Sequence, residues 1–224
     1  MNNVLKRMID IFISGSALLV LLPIFVLIAI GIKLDSTGPV FFRQGRRTQY
    51  GQEFIMLKFR SMVVDAENIG TKLFNYKDDP RVTKFGRFLR DSSLDELPQL
   101  INIFWGDMSV VGPRPCVTYQ LGDFDTLNKK YKKRFEMKAG LTGLAQVKGR
   151  NAIQWDKKVE YDNQYIDDFQ RFGIWIDLKI IWETLLTVLK KERIYEEKVD
   201  SSMCDEESAK IAAEEIIRLA HLPD

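Results

Sequence analysis

The feature that most constrains this chain is Ile11–Ile32, IFISGSALLVLLPIFVLIAIGI, a run that carries no charge. As a helix it reaches across the roughly 30 Å hydrocarbon core of a bilayer. A secretory leader fits poorly, because the run is too long and no small-residue cleavage site follows. Pro23 lies near its middle, removes one backbone donor and predicts a kink. Lys6 and Arg7 precede the run and Lys33 and Arg43 follow it, so basic flanks assign no orientation. A helix that enters the membrane, bends at Leu22-Pro23 and returns to the same face satisfies both observations. A kinked single-pass anchor is the alternative.

The rest of the 224 residues suffice for one domain and an appendage. The net charge is only +2 but it is unevenly placed. The first sixty residues are predominantly basic, and the end is acidic, with Glu196, Glu197, Asp200, Asp205, Glu206, Glu207, Glu214 and Glu215. A basic front suits phosphate or lipid headgroups. Cys116 and Cys204 form no metal-binding spacing and suggest a reducing compartment. The single histidine is His221, so acid–base or nucleophilic chemistry in the core falls to carboxylates, Lys and Arg.

VFFRQ and EFIMLKFRSM read as two strands joined through Gly45–Gln52, with Lys58 and Arg60 on one strand face. A helix is expected over Asp65–Lys77. The stretch Arg87–Pro115 then concentrates the polar chemistry. Ser93 and Glu96 have capping-box spacing, and Pro98 fits a first helical turn, so Asp95-Glu96 is expected at a helix N-terminus. The dipole there, together with a neighbouring cation, would keep such a carboxylate ionised and nucleophilic. Acidic residues at helix starts are routine caps, so the pair alone defines no site. Arg87, Arg90 and Arg114 add guanidinium groups that could hold a phosphate beside a carboxylate-bound metal.

Pro113 and Pro115 stiffen the backbone around Arg114. A charged helix is expected over Tyr119–Phe135. The glycine-rich Lys138–Arg150 is either a loop for close backbone approach to a ligand or a structural turn. Trp155–Phe169 reads as an amphipathic helix. Ile174–Leu189 reads as interfacial, with Trp175 and Trp182 at headgroup level, or as a buried core helix. An acidic linker and a helix with Ala212, Ile216 and Leu219 on one face complete the chain.

KRMID, the apolar helix with its proline, KFRSM, LRDSSLDELPQL, GDMSVVGPRP and GLTGLAQVKGR occur in an order that resembles the bacterial sugar transferase family, the small monotopic phosphoglycosyl transferases. The similarity covers about residues 4 to 190. The resemblance implies a mostly helical α+β monotopic membrane protein on the cytoplasmic face of the inner membrane. Residues 1–34 would be the re-entrant helix, 35–191 the catalytic domain with interfacial helices, and 192–224 an acidic tail of no assigned role. Its members start lipid-linked glycan assembly, passing a sugar phosphate from a UDP-sugar to a polyprenyl phosphate, usually undecaprenyl phosphate, with release of UMP. They need Mg²⁺. Asp95 would be the nucleophile and a metal ligand, with Glu96 beside it helping to hold the metal or to orient the site. Arg90, Arg114 with its neighbour Pro113, and Arg150 would contact phosphate, and Lys58 and Arg60 match the basic strand motif. Nucleic acid is not an expected partner, and the sugar and oligomeric state stay open. A hydrolase using water as acceptor, or an inactive membrane-tethered scaffold, are the other readings. One departure is Leu22-Pro23 where members often carry Ser-Pro; the nearest serines are Ser14 and Ser16.

Overall fold

The computed structural model describes residues 2–66, 79–149, 153–189 and 206–223. The apolar run becomes one helix, α1 (Asn2–Asp35), which extends past the run at both ends and continues through Pro23. It is long and apolar enough to cross a membrane. Most of its surface is bare, including Phe12, Leu19, Val20 and Leu27.

A narrow stripe of α1 nevertheless packs on the rest of the chain along its whole length. Near its start, Lys6 Nζ donates to Asp177 Oδ2 at 2.6 Å and to the Val111 carbonyl at 2.8 Å. Arg7 donates to the carbonyls of Ile103 and Phe104, and Asp10 Oδ1 accepts from the Val110 N–H. Ala17, Leu18 and Leu21 cover Leu100 and Ile103. Past the proline, Ile28 and Ile32 are buried with Phe59 and Leu89. The Ser14 hydroxyl donates to the Asp10 carbonyl, so it serves its own turn and not the backbone near Pro23.

The expected strands form as β1 (Phe41–Arg47) and β2 (Glu53–Phe59), an antiparallel pair joined by a tight turn in which Tyr50 and Gly51 have positive φ. The short β4 (Cys116–Val117) adds to β1, giving the order β2-β1-β4. β2 is therefore an edge, and a side chain closes it. Asn102 Oδ1 accepts from the Leu57 N–H at 3.0 Å, and its Nδ2 donates to the Ile55 carbonyl at 2.8 Å. An amide can satisfy both edge groups because it carries a donor and an acceptor side by side. Asn102 lies in α3 (Gln99–Trp105), which is thereby fixed along β2.

Between them runs α2 (Lys84–Asp91), with the Thr83 hydroxyl accepting from the Gly86 N–H as its N-cap. β3 (Ser109–Val111) and β5 (Gly140–Thr142) form a separate parallel pair. The glycines of the loop are used here. A Cβ on Gly112 would stand 2.2 Å from the Lys138 carbonyl oxygen, and one on Gly143 would stand 2.2 Å from the Gly112 oxygen. The structural-turn reading accounts for these positions: the close approach is backbone on backbone.

The charged helix expected over Tyr119–Phe135 shrinks to α4 (Lys129–Lys133) and a 3-10 turn, Arg134–Glu136. Gly122 has φ +69°, Asp123 Oδ1 takes the Asp125 N–H, and Asn128 caps α4. Short polar side chains bonding their own backbone favour turns over helix. Then follow α5 (Leu144–Lys148), α6 (Trp155–Phe172) and α7 (Ile174–Leu189). α7 has one packed face and one bare face. Ile176 and Ile180 pack with Val111, Tyr165 and Phe169, while Trp175 and Trp182 stand 74% and 63% exposed. A last helix, α8 (Glu206–Ala220), packs back on the domain through Ile216, Leu219 and Ala220. The helix expected over 65–77 falls almost wholly on residues 67–78, outside the described residues.

Candidate active site

Asp95 and Glu96 do not begin a helix in the way the capping box suggests. Ser93 has φ +57°, outside the extended geometry of an N-cap, and makes no side-chain cap. Leu94–Glu96 is one turn of 3-10 helix, and α3 starts only after Pro98. A proline has no N–H to donate to an earlier carbonyl, so the chain breaks there and restarts. A single turn sums few peptide dipoles, and the source of negative charge stabilisation lies elsewhere.

That source is two cations from other elements. Lys58 Nζ, on β2, donates to Glu96 Oε1 at 2.8 Å. Arg114 Nη2, beyond β3, donates to the same oxygen at 2.8 Å. Burial works to raise the Glu96 pKa, but Arg114 and Lys58 outweigh it and hold the carboxyl well below the usual range. Asp95 has the opposite fate. It is 9% exposed, and burial pushes its carboxyl up to about 6, with Glu96 adding to the rise and Lys58, Arg90 and Arg114 opposing it. Among the described residues its carboxylate has no hydrogen-bond or ion-pair partner. One carboxylate is thus locked as an anion, and its neighbour is desolvated, uncommitted and poised near neutrality.

The segment that presents Arg114 is held from several sides. The Pro113 carbonyl accepts from the Gly140 N–H at 2.9 Å. Arg134 Nη2 donates to the Arg114 carbonyl at 2.8 Å, and Arg46 Nη1 to the Pro115 carbonyl at 2.9 Å. Arg134 is itself buried and paired with Asp162 at 2.8 Å. With the backbone fixed this way, only Nη2 of the Arg114 guanidinium has a protein partner among the described residues, leaving the other nitrogens for a ligand.

The remaining residues singled out in the sequence are distributed differently. Arg90 donates from Nε to the Ser61 hydroxyl and acts electrostatically on Asp95, so it belongs to the group. Arg60 does not share partners with Lys58. Its guanidinium donates to the carbonyls of Ser36 and Thr37 at 2.7 and 2.6 Å, closing the C-terminal end of α1. Arg150 lies outside the described residues. Leu22 is exposed on α1 beside Pro23.

Sequence reasoning missed Asn102, Arg134, Asp162 and Asp177. Each is an ordinary helical residue locally, and its role arises from partners distant in sequence. KRMID was legible only as a motif, and Lys6 shows its use.

Two carboxylates with unengaged oxygens, Asp95 and the Oε2 side of Glu96, are hard donors of the kind Mg²⁺ takes. Among the described residues no third His, Cys, Asp or Glu joins them. That fits a metal that retains waters and takes its other oxygens from a diphosphate.

The model of the family described as bacterial sugar transferase matches residues 1–191. The chain is 42% identical over 197 residues to a UDP-glucose:undecaprenyl-phosphate glucose-1-phosphate transferase of Xanthomonas campestris pv. campestris, covering 86% of this chain and 40% of that protein. It is 44% identical over 194 residues to the protein of the same name from Klebsiella pneumoniae, covering 84% and 40%. An exopolysaccharide production protein of Rhizobium leguminosarum bv. phaseoli is 39% identical over 199 residues, covering 85% of this chain and 98% of that one. The match thus spans about two-fifths of the length of the first two relatives and nearly all of the third. With its acidic pair, basic strand and Pro-Arg-Pro segment in one site, the chain belongs to the bacterial sugar transferase family.

Proposed function

We propose that this chain is a phosphoglycosyl transferase that moves a sugar 1-phosphate from a UDP-sugar to a polyprenyl phosphate and releases UMP. The observation that carries this is the desolvated Asp95 carboxylate, without a hydrogen-bond partner among the described residues, beside a Glu96 clamped between Lys58 and Arg114. The names of the relatives, which specify a UDP-sugar donor and undecaprenyl phosphate, support the same reaction.

In this reading Asp95 attacks the β-phosphorus of the donor. The new Oδ–P bond forms as the bond to the UMP oxygen breaks, leaving a sugar phosphate on the carboxylate. An oxygen of polyprenyl phosphate then attacks that phosphorus and returns Asp95 to its free form. The open nitrogens of Arg114, with Arg90, stabilise charge on the phosphoryl oxygens. Lys58 and Arg114 keep Glu96 ionised and fixed. Asp95 and Glu96 would hold Mg²⁺, which screens the repulsion between carboxylate and diphosphate.

We read α1 as re-entrant, with both ends on the cytoplasmic face. A straight helix of 34 residues is about 51 Å long by its rise per residue. Its first turns bond Val111 and Asp177 while its last turn is bonded by Arg60, all within one domain. A crossing helix would carry one of these ends away from the domain. The bare Trp175 and Trp182 of α7, with Trp105 and Phe88, complete a lipid-facing surface in this reading.

Protein given UDP-sugar and Mg²⁺ without lipid should release about one UMP per active site and gain the mass of one sugar phosphate at Asp95. Asp95→Asn should lose both signals. UMP release only in the presence of polyprenyl phosphate, with no adduct under trapping, would rule out the covalent route.

A further inference from the structure

Helix α8 lies beyond the stretch matched to the family, yet it is fastened to the segment that follows Arg114. The Asn128 backbone N–H donates to the Ala220 carbonyl at 2.9 Å, and its Nδ2 donates to the carbonyls of Leu219 and Leu222, both at 3.1 Å. The ring of His221, the only histidine, spans the same turn. Its Nε2 lies 2.9 Å from the Leu121 carbonyl and its Nδ1 3.0 Å from the Thr126 carbonyl. Ala220 is completely buried, and Ile216 and Leu219 close over a cluster that includes Cys116, Leu121 and Tyr131.

This cluster continues into the site. Cys116 adjoins Pro115, whose carbonyl is held by Arg46. Arg134, one turn after Tyr131, holds the Arg114 carbonyl. At the same 121–122 turn Arg47 donates to the Gly122 carbonyl at 2.6 Å. Loosening the 121–128 turn would therefore loosen the cluster of Cys116, Leu121 and Tyr131 that packs beside the residues holding the Arg114 and Pro115 carbonyls. Without α8 the apolar cluster would also face water, which disfavours its packed arrangement.

We infer that α8 is a positioning element of the active site, a clamp on residues 116–131 that keeps Arg114 aligned. The inference rests on the reading of Arg114 as a phosphate contact. It predicts that binding of the donor, more than turnover, depends on the C-terminal helix.

The test compares the full chain with one ending at Lys191 and with His221→Ala in the full chain. The KM for UDP-sugar should rise about tenfold or more in the truncated protein and about threefold in His221→Ala, with a smaller change in kcat. Amide exchange over residues 114–131 should quicken in both, while partition into vesicles stays unchanged. A synthetic peptide of residues 206–223 should restore the KM of the truncated chain. Parent KM values together with parent exchange rates in both variants would overturn the inference. If truncation prevents folding, His221→Ala decides by the same two readouts. If the full chain releases no UMP, the transferase reading fails on its own account. The exchange comparison then still decides whether α8 clamps the segment.

Discussion

Replacing Glu96 by Gln should move the acid limb of the reaction toward lower pH. In the parent, burial pushes the Asp95 carboxyl up to about 6 and the Glu96 charge adds to that rise. Asp95 attacks only when ionised, so the first half-reaction should decline as pH falls through about 6. Glutamine removes the neighbouring charge and leaves Lys58 and Arg114 a neutral amide oxygen in place of the carboxylate oxygen they now share at 2.8 Å. Two unit charges about 6 Å apart at an effective dielectric of about 20 interact by roughly 2.8 kcal/mol, or about two pKa units. Rearrangement of the two cations and residual solvent reduce this, so a downward shift of about one unit is expected. The plateau should fall as well, by about ten- to a hundredfold, because a neutral amide holds Arg114 more weakly than a carboxylate does. The assay is single-turnover UMP release against pH in both proteins at one saturating Mg²⁺ concentration. An acid limb unmoved, or moved upward, in Glu96→Gln would refute the electrostatic account of the pair.

Four further outcomes follow from the geometry. Arg114→Lys can keep the single bond to Glu96 but loses the remaining guanidinium nitrogens, so kcat/KM for the UDP-sugar should fall at least about tenfold; a parent value would show that the fork is not used. Gly112→Ala places a Cβ 2.2 Å from the Lys138 oxygen, a backbone atom that cannot swing aside, and should destabilise by about 3 kcal/mol or prevent folding, read by thermal melts. Gly15→Ala meets only the Phe104 ring at 3.3 Å and should melt near the parent temperature. Single cysteines in place of Asn3 and of Leu34, which is 84% exposed, should both label from the cytoplasm; labelling of the first from the periplasm alone would exclude the re-entrant topology.

What was legible in the sequence depended on whether the cause was local. The alternation in VFFRQ and EFIMLKF gave β1 and β2, because one face of that hairpin is buried and a period of two records it. The two-sided character of α7 was visible as two competing readings, since an apolar helix interrupted by charge serves both lipid and core. The capping box misled because its residues are compatible with a cap, whereas the positive φ of Ser93 is set by the chain turning from α2 into the acidic pair. What sets the charge state of Asp95 was only partly legible, for a related reason. A dipole can be inferred from a run of residues, but burial depends on β2, α2 and the Arg114 segment closing around the pair. Lys58, Glu96 and Arg114 were each legible as candidates, while their meeting on one oxygen was not. Nothing in the spacing of three such distant residues records a shared partner. Arg60 shows the converse. It continues the alternation of β2 by one residue, yet that residue lies past the strand end and is spent on the carbonyls of α1.

The placement of Arg60 gives the order of the motifs a physical sense. Lys6, near the start of α1, bonds the Val111 carbonyl, and Val111 leads through Gly112-Pro113 to Arg114. Arg60 bonds the end of α1, and two residues before it on the hairpin is Lys58. The two cations that meet on Glu96 are therefore each tied, within a few residues, to opposite ends of one long apolar helix. The Lys6–Asp177 pair is buried, and Tyr165 donates to the second Asp177 oxygen at 2.8 Å. Such a pair adds little net stability after desolvation, but breaking it leaves a buried charge alone, so it discriminates strongly between correct and displaced packing. A displaced α1 would carry the Arg114 segment or the Lys58 strand with it and open the clamp on Glu96. Assembly of the site is thereby coupled to correct seating of the apolar helix. A chain with that helix unseated would keep its acidic pair but lose the cations that set the charge of its two carboxylates.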